Sequence, residues 1–365
     1  MKKIIDLLIM LILLSASSSL FAQGAGTSAV PFLMISPGAK AGSMGESGVA
    51  LATDATAVFW NPAGLAFQYE DPEEDKIFEA SLMHVDWLPQ FNFSDLFYDY
   101  LAARYYVEDI GMIGGSITFL NLGENVYTDD GGFTLGTFDS KEYAFTLSYA
   151  TKLEENLGVG VNVKLIRSEL APSKILVENE TTNGQATAFA LDVGVMWKPG
   201  YDIFDNRLTA GLNLSNFGPA ITYNDDAQAD PLPTNLRIGL AYEAFEDEYN
   251  SLIVTYETTR MLVRRTGTSA DNFVEATFYS SWIKGSAKSR LNSFTHAIGV
   301  EYVYGKLFAI RAGYFNEHQS FGNRKFLTAG FGLEIDMIGI DFGYISANEE
   351  SPLAGTMRYS VSVKF

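Results

Sequence analysis

Residues Met357 to Phe365 read MRYSVSVKF. Met357, Tyr359, Val361, Val363 and Phe365 are apolar or aromatic, and Arg358, Ser360, Ser362 and Lys364 between them are polar. Successive strand side chains point to opposite faces, so this run has one greasy and one wet side. In a soluble protein it would be an amphipathic strand over a core. At the end of an exported chain full of similar strands, it is how a transmembrane β-barrel closes, with greasy side chains toward lipid and polar ones toward the lumen. The terminal Phe365 also fits the end signal read by the bacterial barrel-insertion machinery.

The same period of two recurs upstream. Tyr143, Phe145, Leu147 and Tyr149 alternate with Ala144, Thr146, Ser148 and Ala150. Val159, Val161 and Val163 alternate with Gly160, Asn162 and Lys164; Leu191, Val193, Val195 and Trp197 oppose Asp192, Gly194 and Lys198. Leu208–Ser215, Leu236–Glu243, Phe308–Tyr314, Leu327–Asp336 and Ile338–Tyr344 repeat the rule. From residue 77 onward this gives about fourteen strands. The first two, near 77–87 and 96–107, alternate poorly. Tyr143, Tyr149, Trp197, Tyr242, Tyr302, Tyr304 and Tyr344 fall near strand ends, as membrane-interface belts require.

The amino terminus predicts export. Lys2 and Lys3 precede an apolar run from Ile4 to Leu14, interrupted by Asp6, and small residues lead to Ala22. That is a secretory signal peptide over residues 1–22, with cleavage before Gln23. The absence of Cys excludes disulfides, thiol catalysis and a lipoprotein anchor. Beyond the signal no run of 18 apolar residues occurs, which excludes helical spans. Yet 47% of residues are hydrophobic, 13% are aromatic and Gly numbers 33, as suits a thin wall whose strands bend or crowd. The formal charge is −19, and −20 once Lys2, Lys3 and Asp6 leave with the signal; such a chain repels nucleic acid.

Connections alternate in length. Short ones fall around 108–109, 154–155, 199–205, 246–250, 305 and 337; longer polar ones span about 123–139, 170–183, 217–233, 260–291, 317–323 and 348–355. Short turns at one end and long loops at the other mark an outer-membrane barrel, with the short end and both termini periplasmic. Fourteen strands enclose more space than wall side chains fill. The segment 23–76, outside the strand pattern and rich in small residues, is expected to plug the lumen of the 77–365 barrel. The fold expected is all-β: a transmembrane antiparallel barrel with an N-terminal plug.

The string GAKAGSMGESGVALATDATAVFWNPAGLAF, from Gly38 to Phe67, resembles the N-terminal region of the PorV/PorQ family, and WNPAG at Trp60–Gly64 looks like that family's Asn-Pro-Ala motif. HVDWLPQF at His84–Phe91 and IGGSITFLNLGE at Ile113–Glu124 are similar to its PorV branch. The resemblance implies a fourteen-stranded plugged barrel of the architecture shared with the FadL long-chain fatty-acid transporters. It also implies a role in the type IX secretion system of the Bacteroidetes: receiving folded cargo at the translocon through the cargo's C-terminal domain and carrying it to a surface attachment complex.

Within the plug, Asn61-Pro62 makes a rigid corner, because Pro fixes its own φ and holds its predecessor extended. Trp60, Asn61, Pro62 and Gly64 are expected to anchor the plug against the wall. The loops carrying Asp129-Asp130 and Asp225-Asp226 are candidates for a basic partner surface. Arg264 and Arg265, with Arg260, Lys284, Lys288 and Arg290, concentrate positive charge suited to lipopolysaccharide or an acidic partner. Asp129-Asp130-Gly131 lacks the spacing of a calcium loop, and His84 and His318 have no partners at metal-ligand spacing, so no metal or cofactor is expected. His296 shares the apolar parity of Ile298 and Val300, but no Ser matches it on the adjoining strand, and no enzyme is expected. The alternative function is a FadL-like transporter of hydrophobic small molecules, which needs an apolar pocket between plug and wall. The charged lumen parity (Lys164, Asp192, Arg237, Arg311, Asp341, Arg358) argues against a continuous greasy tunnel.

Overall fold

The computed structural model describes residues 28–365 apart from 71–74, 94, 130, 178–179, 201–206, 224–228 and 267–268. The expected signal peptide lies outside the described residues. So do Asp130, Asp225 and Asp226 of the candidate loops.

Fourteen antiparallel strands close into a barrel. They are β1 (Phe78–Asp86), β2 (Phe97–Val107), β3 (Gly111–Thr128), β4 (Thr134–Glu154), β5 (Leu157–Val177), β6 (Glu180–Trp197) and β7 (Leu208–Phe217), followed by β8 (Asn235–Glu246), β9 (Asn250–Met261), β10 (Phe294–Tyr304), β11 (Phe308–Asn316), β12 (Lys325–Ile335), β13 (Ile338–Ala347) and β14 (Met357–Lys364). Each pairs with its neighbours in sequence, and β14 returns to β1, setting Val361 opposite Leu82. Phe78 and Phe365 exchange both backbone hydrogen bonds, at 2.8 and 3.0 Å, and their rings meet at 4.7 Å. The aromatic terminus is thus the latch of the cylinder. No helix among the described residues is long and apolar enough to cross a membrane.

The outer face carries Leu147, Val163, Phe189, Leu240, Leu327 and Ile340, all exposed, while their neighbours Thr146, Lys164, Ala190, Ala241 and Thr328 are buried inward. An apolar side chain left outside is what a lipid solvent asks for. The poor alternation of β1 and β2 also has a cause. Their inward residues include Met83, Val85, Tyr98, Tyr100 and Ala102, which pack against the plug, while His84 and Asp99 meet at 2.7 Å on the outer face, so apolar and polar residues mix on both faces and the period of two is muted.

Two of the long polar connections are strands. β3 and β4 stay paired up to Thr128 and Thr134, and β5 and β6 up to Val177 and Glu180, well into 123–139 and 170–183. At the β3–β4 tip residues of both parities, such as Val126, Tyr127, Thr134 and Leu135, are exposed, so greasy parity is not required there while the backbone ladder continues. The β3–β4 ladder carries a bulge between Asn121 and Gly123, where Gly123 takes a φ of 78°. A Cβ there would stand 2.3 Å from Asp95 Oδ2, which accepts from Glu124 N at 2.9 Å. Glycine is required on both counts.

Inside the cylinder, residues 28–70 form short turns with no strand of their own: 3₁₀ turns at Pro31–Met34 and Pro62–Phe67 and single helical turns at Ala39–Gly42 and Ala57–Trp60. A compact filler needs small residues, and Ala39, Ala55, Ala57, Ala63, Ser43 and Gly42 supply them.

Candidate functional site

The plug has no ladder to satisfy its peptide groups, so the lumen-facing wall must do so. Asn61 is fully buried; its Nδ2 donates to Val49 O within the plug and to Val195 O of β6, both at 3.0 Å, and its Oδ1 accepts from Ala63 N at 3.2 Å. Asn61 is extended and Pro62 opens the following 3₁₀ turn, where its missing N–H costs nothing. Wall glycines let this corner approach. A Cβ at Gly194 would lie 2.2 Å from Asn61 Oδ1, and one at Gly160 2.3 Å from the Pro62 carbonyl carbon. Gly64 is likewise pressed against Ala52, and Trp60, 2% exposed, donates its indole N–H to Pro37 O at 3.1 Å. The Asn-Pro corner therefore sits inside the lumen toward the short-turn ends of β5 and β6, and the chain reaches β1 some residues later.

The polar lumen residues are the plug's partners. Asn213 Nδ2 donates to Trp60 O at 2.9 Å and Asn162 Nδ2 to Val58 O at 2.7 Å. Glu257 accepts from Gly48 N and Val49 N at 2.8 and 2.9 Å, and Arg237 lies over the Phe59 ring at 4.7 Å. Ser360 accepts from Ala39 N at 2.9 Å, Thr328 from Gly45 N at 2.8 Å, and Arg358 pairs with Glu46 at 2.6 Å. Lys164 and Asp192 pair at 2.9 Å, and Arg311 bridges Glu301 and Asp341 at 2.5 Å each. Each of these buried or half-buried charges has a partner of opposite sign, as loss of solvent demands.

The two ends of the lumen differ in chemistry. At the short-turn end, where Lys364 lies, a cavity of about 520 Å³ is lined by Lys198, Arg207, Glu243, Glu334, Asp336 and Lys364 among others. At the long-loop end a bowl of about 850 Å³ is lined mainly by apolar residues. Its floor is the plug (Val30, Phe32, Met34, Ile35) and its sides are Trp87, Leu88, Phe91, Leu120, Leu122, Leu170, Tyr223 and Leu353. Leu88 and Asn92 take φ of 53° and 57° on either side of the Pro89–Phe91 turn, and Gln90 ties that loop to Ala354 O at 2.9 Å. Tyr98 donates to Ile35 O at 3.2 Å and Ala29 N to Pro231 O at 3.0 Å, fixing the floor. Tyr223 donates to Ser168, which donates to Glu142, at 2.8 and 2.7 Å; burial raises the Tyr223 phenol above its usual value and keeps it a donor.

Of the candidate loop residues, Asp129 is turned on itself, accepting from Gly131 N and Phe133 N at 2.9 and 2.8 Å. Arg264 faces Asp271 at 3.8 Å, Arg265 pairs with Asp230 at 2.5 Å and Lys284 meets Asp271 and Glu275, so about half of the basic cluster is paired with acids. His296 bonds to the Tyr256 hydroxyl at 2.7 Å on the outer face. Sequence reasoning missed the bowl because Tyr223, Leu170 and Leu353 lie in polar loops. The signal available was the HVDWLPQF stretch, whose Trp87, Leu88 and Phe91 are too apolar for a free loop.

The profile of the family described as Type IX secretion system protein PorV matches residues 20–268. The chain belongs to the PorV family. It is accordingly an outer-membrane barrel of type IX secretion. No curated protein sequence matches it. Among solved structures, the toluene transporter TodX of Pseudomonas putida aligns with a TM-score of 0.52 at 15% identity, covering 89% of this chain and 97% of TodX. A deltaS2 mutant of the TodX monoaromatic hydrocarbon channel aligns with a TM-score of 0.53 at 15% identity, over 90% and 99%. The toluene transporter TbuX of Ralstonia pickettii aligns at 0.49 and 14% identity, over 90% and 98%. At 15% identity the two TodX likenesses show the fold alone: this PorV-family chain shares the TodX barrel fold.

Proposed function

We propose that this protein is a closed outer-membrane receptor and shuttle: the apolar bowl at the long-loop end receives cargo through its C-terminal domain, and the protein passes that cargo from translocon to attachment complex. Residues 23–76 act as one plug unit, 77–365 as the barrel, and the carboxy terminus faces the periplasm, whereas Ala29 and Val30 lie at the long-loop end. The observation that carries this reading is an apolar bowl of about 850 Å³ floored by a plug that is hydrogen-bonded to strands around the wall. A bowl with a pinned floor binds and presents; it does not conduct. The candidate residues keep subordinate roles: Trp60, Asn61, Pro62 and Gly64 hold the floor, and the Asp129, Arg264 and Arg265 loops rim the site.

The second reading, a carrier of hydrophobic small molecules, is favoured by the same bowl, since an apolar pocket between plug and wall is what it requires. Leu353→Asp and Phe91→Asp separate the two. Affinity purification of the tagged chain from its native membrane should recover cargo C-terminal domains with the unaltered protein and lose them with either substitution, at equal barrel abundance. Unchanged cargo recovery, or native mass spectra showing the barrel alone with a small apolar compound, would overturn the shuttle.

A further inference from the structure

Between β9 and β10 the chain is continuously helical from Phe273 to Ile283, with a π-helical turn at Ala276–Ser280 flanked by single α-turns. Its amphipathy is inverted. Ala276, Thr277, Ser280 and Ser281 are buried, whereas Val274, Phe278, Tyr279 and Ile283 are 46, 66, 55 and 49% exposed. A helix on a water-bathed loop does the opposite.

Its seat explains the inversion. The side it covers is the outside of the wall. Phe217 of β7 pairs with Leu191, an exposed residue of the lipid-facing parity, and the Phe217 ring meets Phe273 and Phe278 at 4.9 and 5.9 Å. Arg260 of β9 shares that parity, paired with Leu236 and Phe294 on either side. An arginine facing lipid is costly without a partner. Here it is 6% exposed because the helix closes over it. Its guanidinium donates to Ser281 O and is sandwiched between the Trp282 and Phe294 rings at 4.7 and 5.1 Å.

We infer that Phe273–Ile283 is a membrane-contact element lying against the outside of the barrel, tethered by Arg260, with Val274, Phe278, Tyr279 and Ile283 in the interfacial lipid of the leaflet nearest the long loops. The occupant is lipid because the exposed face is continuous, through Phe278 and Phe217, with the greasy band of the wall. Tyr and Phe at headgroup level are what an interface selects. This inference stands apart from the shuttle reading and needs only the membrane-spanning barrel.

The natural chain has no cysteine, so Tyr279→Cys gives a single labelling site. The full-length protein, labelled there with an environment-sensitive fluorophore, is placed in phosphatidylcholine–phosphatidylglycerol proteoliposomes containing headgroup-depth nitroxide lipid. Leu327→Cys on the lipid-facing wall and Glu248→Cys in a turn at the other end serve as references. Nitroxide lipid should remove most of the Tyr279→Cys emission, as at Leu327→Cys, while aqueous iodide should quench mainly Glu248→Cys. Adding Arg260→Gln should shift the Tyr279→Cys label toward iodide. Behaviour like Glu248→Cys, or shielding from both quenchers that appears only with secretion partners, would overturn lipid contact; the latter would mark a protein interface.

Discussion

Asn61 shows how much one side chain holds. Its amide is buried and satisfies three backbone groups. Asn61→Ala removes the bonds to Val49 O, Val195 O and Ala63 N, at roughly 1–3 kcal/mol for a buried polar group left without its partner. The expected outcome is a lower unfolding midpoint in detergent and raised conductance in planar bilayers; unchanged conductance would mean that the corner does not hold the floor shut. Arg358 makes a parallel case. It is 1% exposed and pairs with Glu46, so Arg358→Met strands a carboxylate at about 3–5 kcal/mol. Adding Glu46→Gln should recover much of that loss, and a double-mutant cycle from chemical denaturation reads the coupling directly.

At the scale of elements, the segment from Arg264 to Lys284 is braced by charge. Burial of Asp271 works to raise its pKa, but the Ser280 hydroxyl, Lys284 at 3.3 Å and Arg264 at 3.8 Å outweigh it and hold the carboxyl below the usual 3.8. Lys284 also meets Glu275 at 3.1 Å, and its own pKa is raised by these acids. A depressed carboxyl stabilises the folded form above its unfolded pKa and loses that contribution as pH falls through the folded value. Limited proteolysis of this segment should therefore be slow at neutral pH and accelerate below about pH 4, and Asp271→Asn should give fast cleavage at every pH. A flat pH profile in the unaltered protein would contradict the bracing.

For the whole molecule, lipid is the solvent of the outer face. Leu147 lies mid-strand in β4 and is 73% exposed. Leu147→Arg should cost about 2–4 kcal/mol if that position sits near the bilayer midplane. The reading is the urea midpoint of the refolded barrel in lipid vesicles. A shift no larger than that of Leu135→Arg, on the protruding β3–β4 hairpin, would place the hydrophobic band elsewhere.

The sequence by itself determined the wall. Alternation in Met357–Phe365 and its repeats specifies strands, parity specifies which face meets lipid, and unequal connections specify a closed cylinder, because these signals are local to a strand and its immediate partner. β1 and β2 were harder to read since Met83, Tyr98 and Tyr100 are greasy on the inner face for the plug's sake. Only the tertiary structure decided what the lumen charges do, that residues distant in the chain build an apolar bowl, and that a greasy helix face points away from the wall. Those outcomes depend on contacts between segments such as Asn61 with Val195, Phe32 with the mouth of the barrel, and Ser281 with Arg260. Periodicity records which way a side chain points; what it meets there is set by parts of the chain far away in sequence.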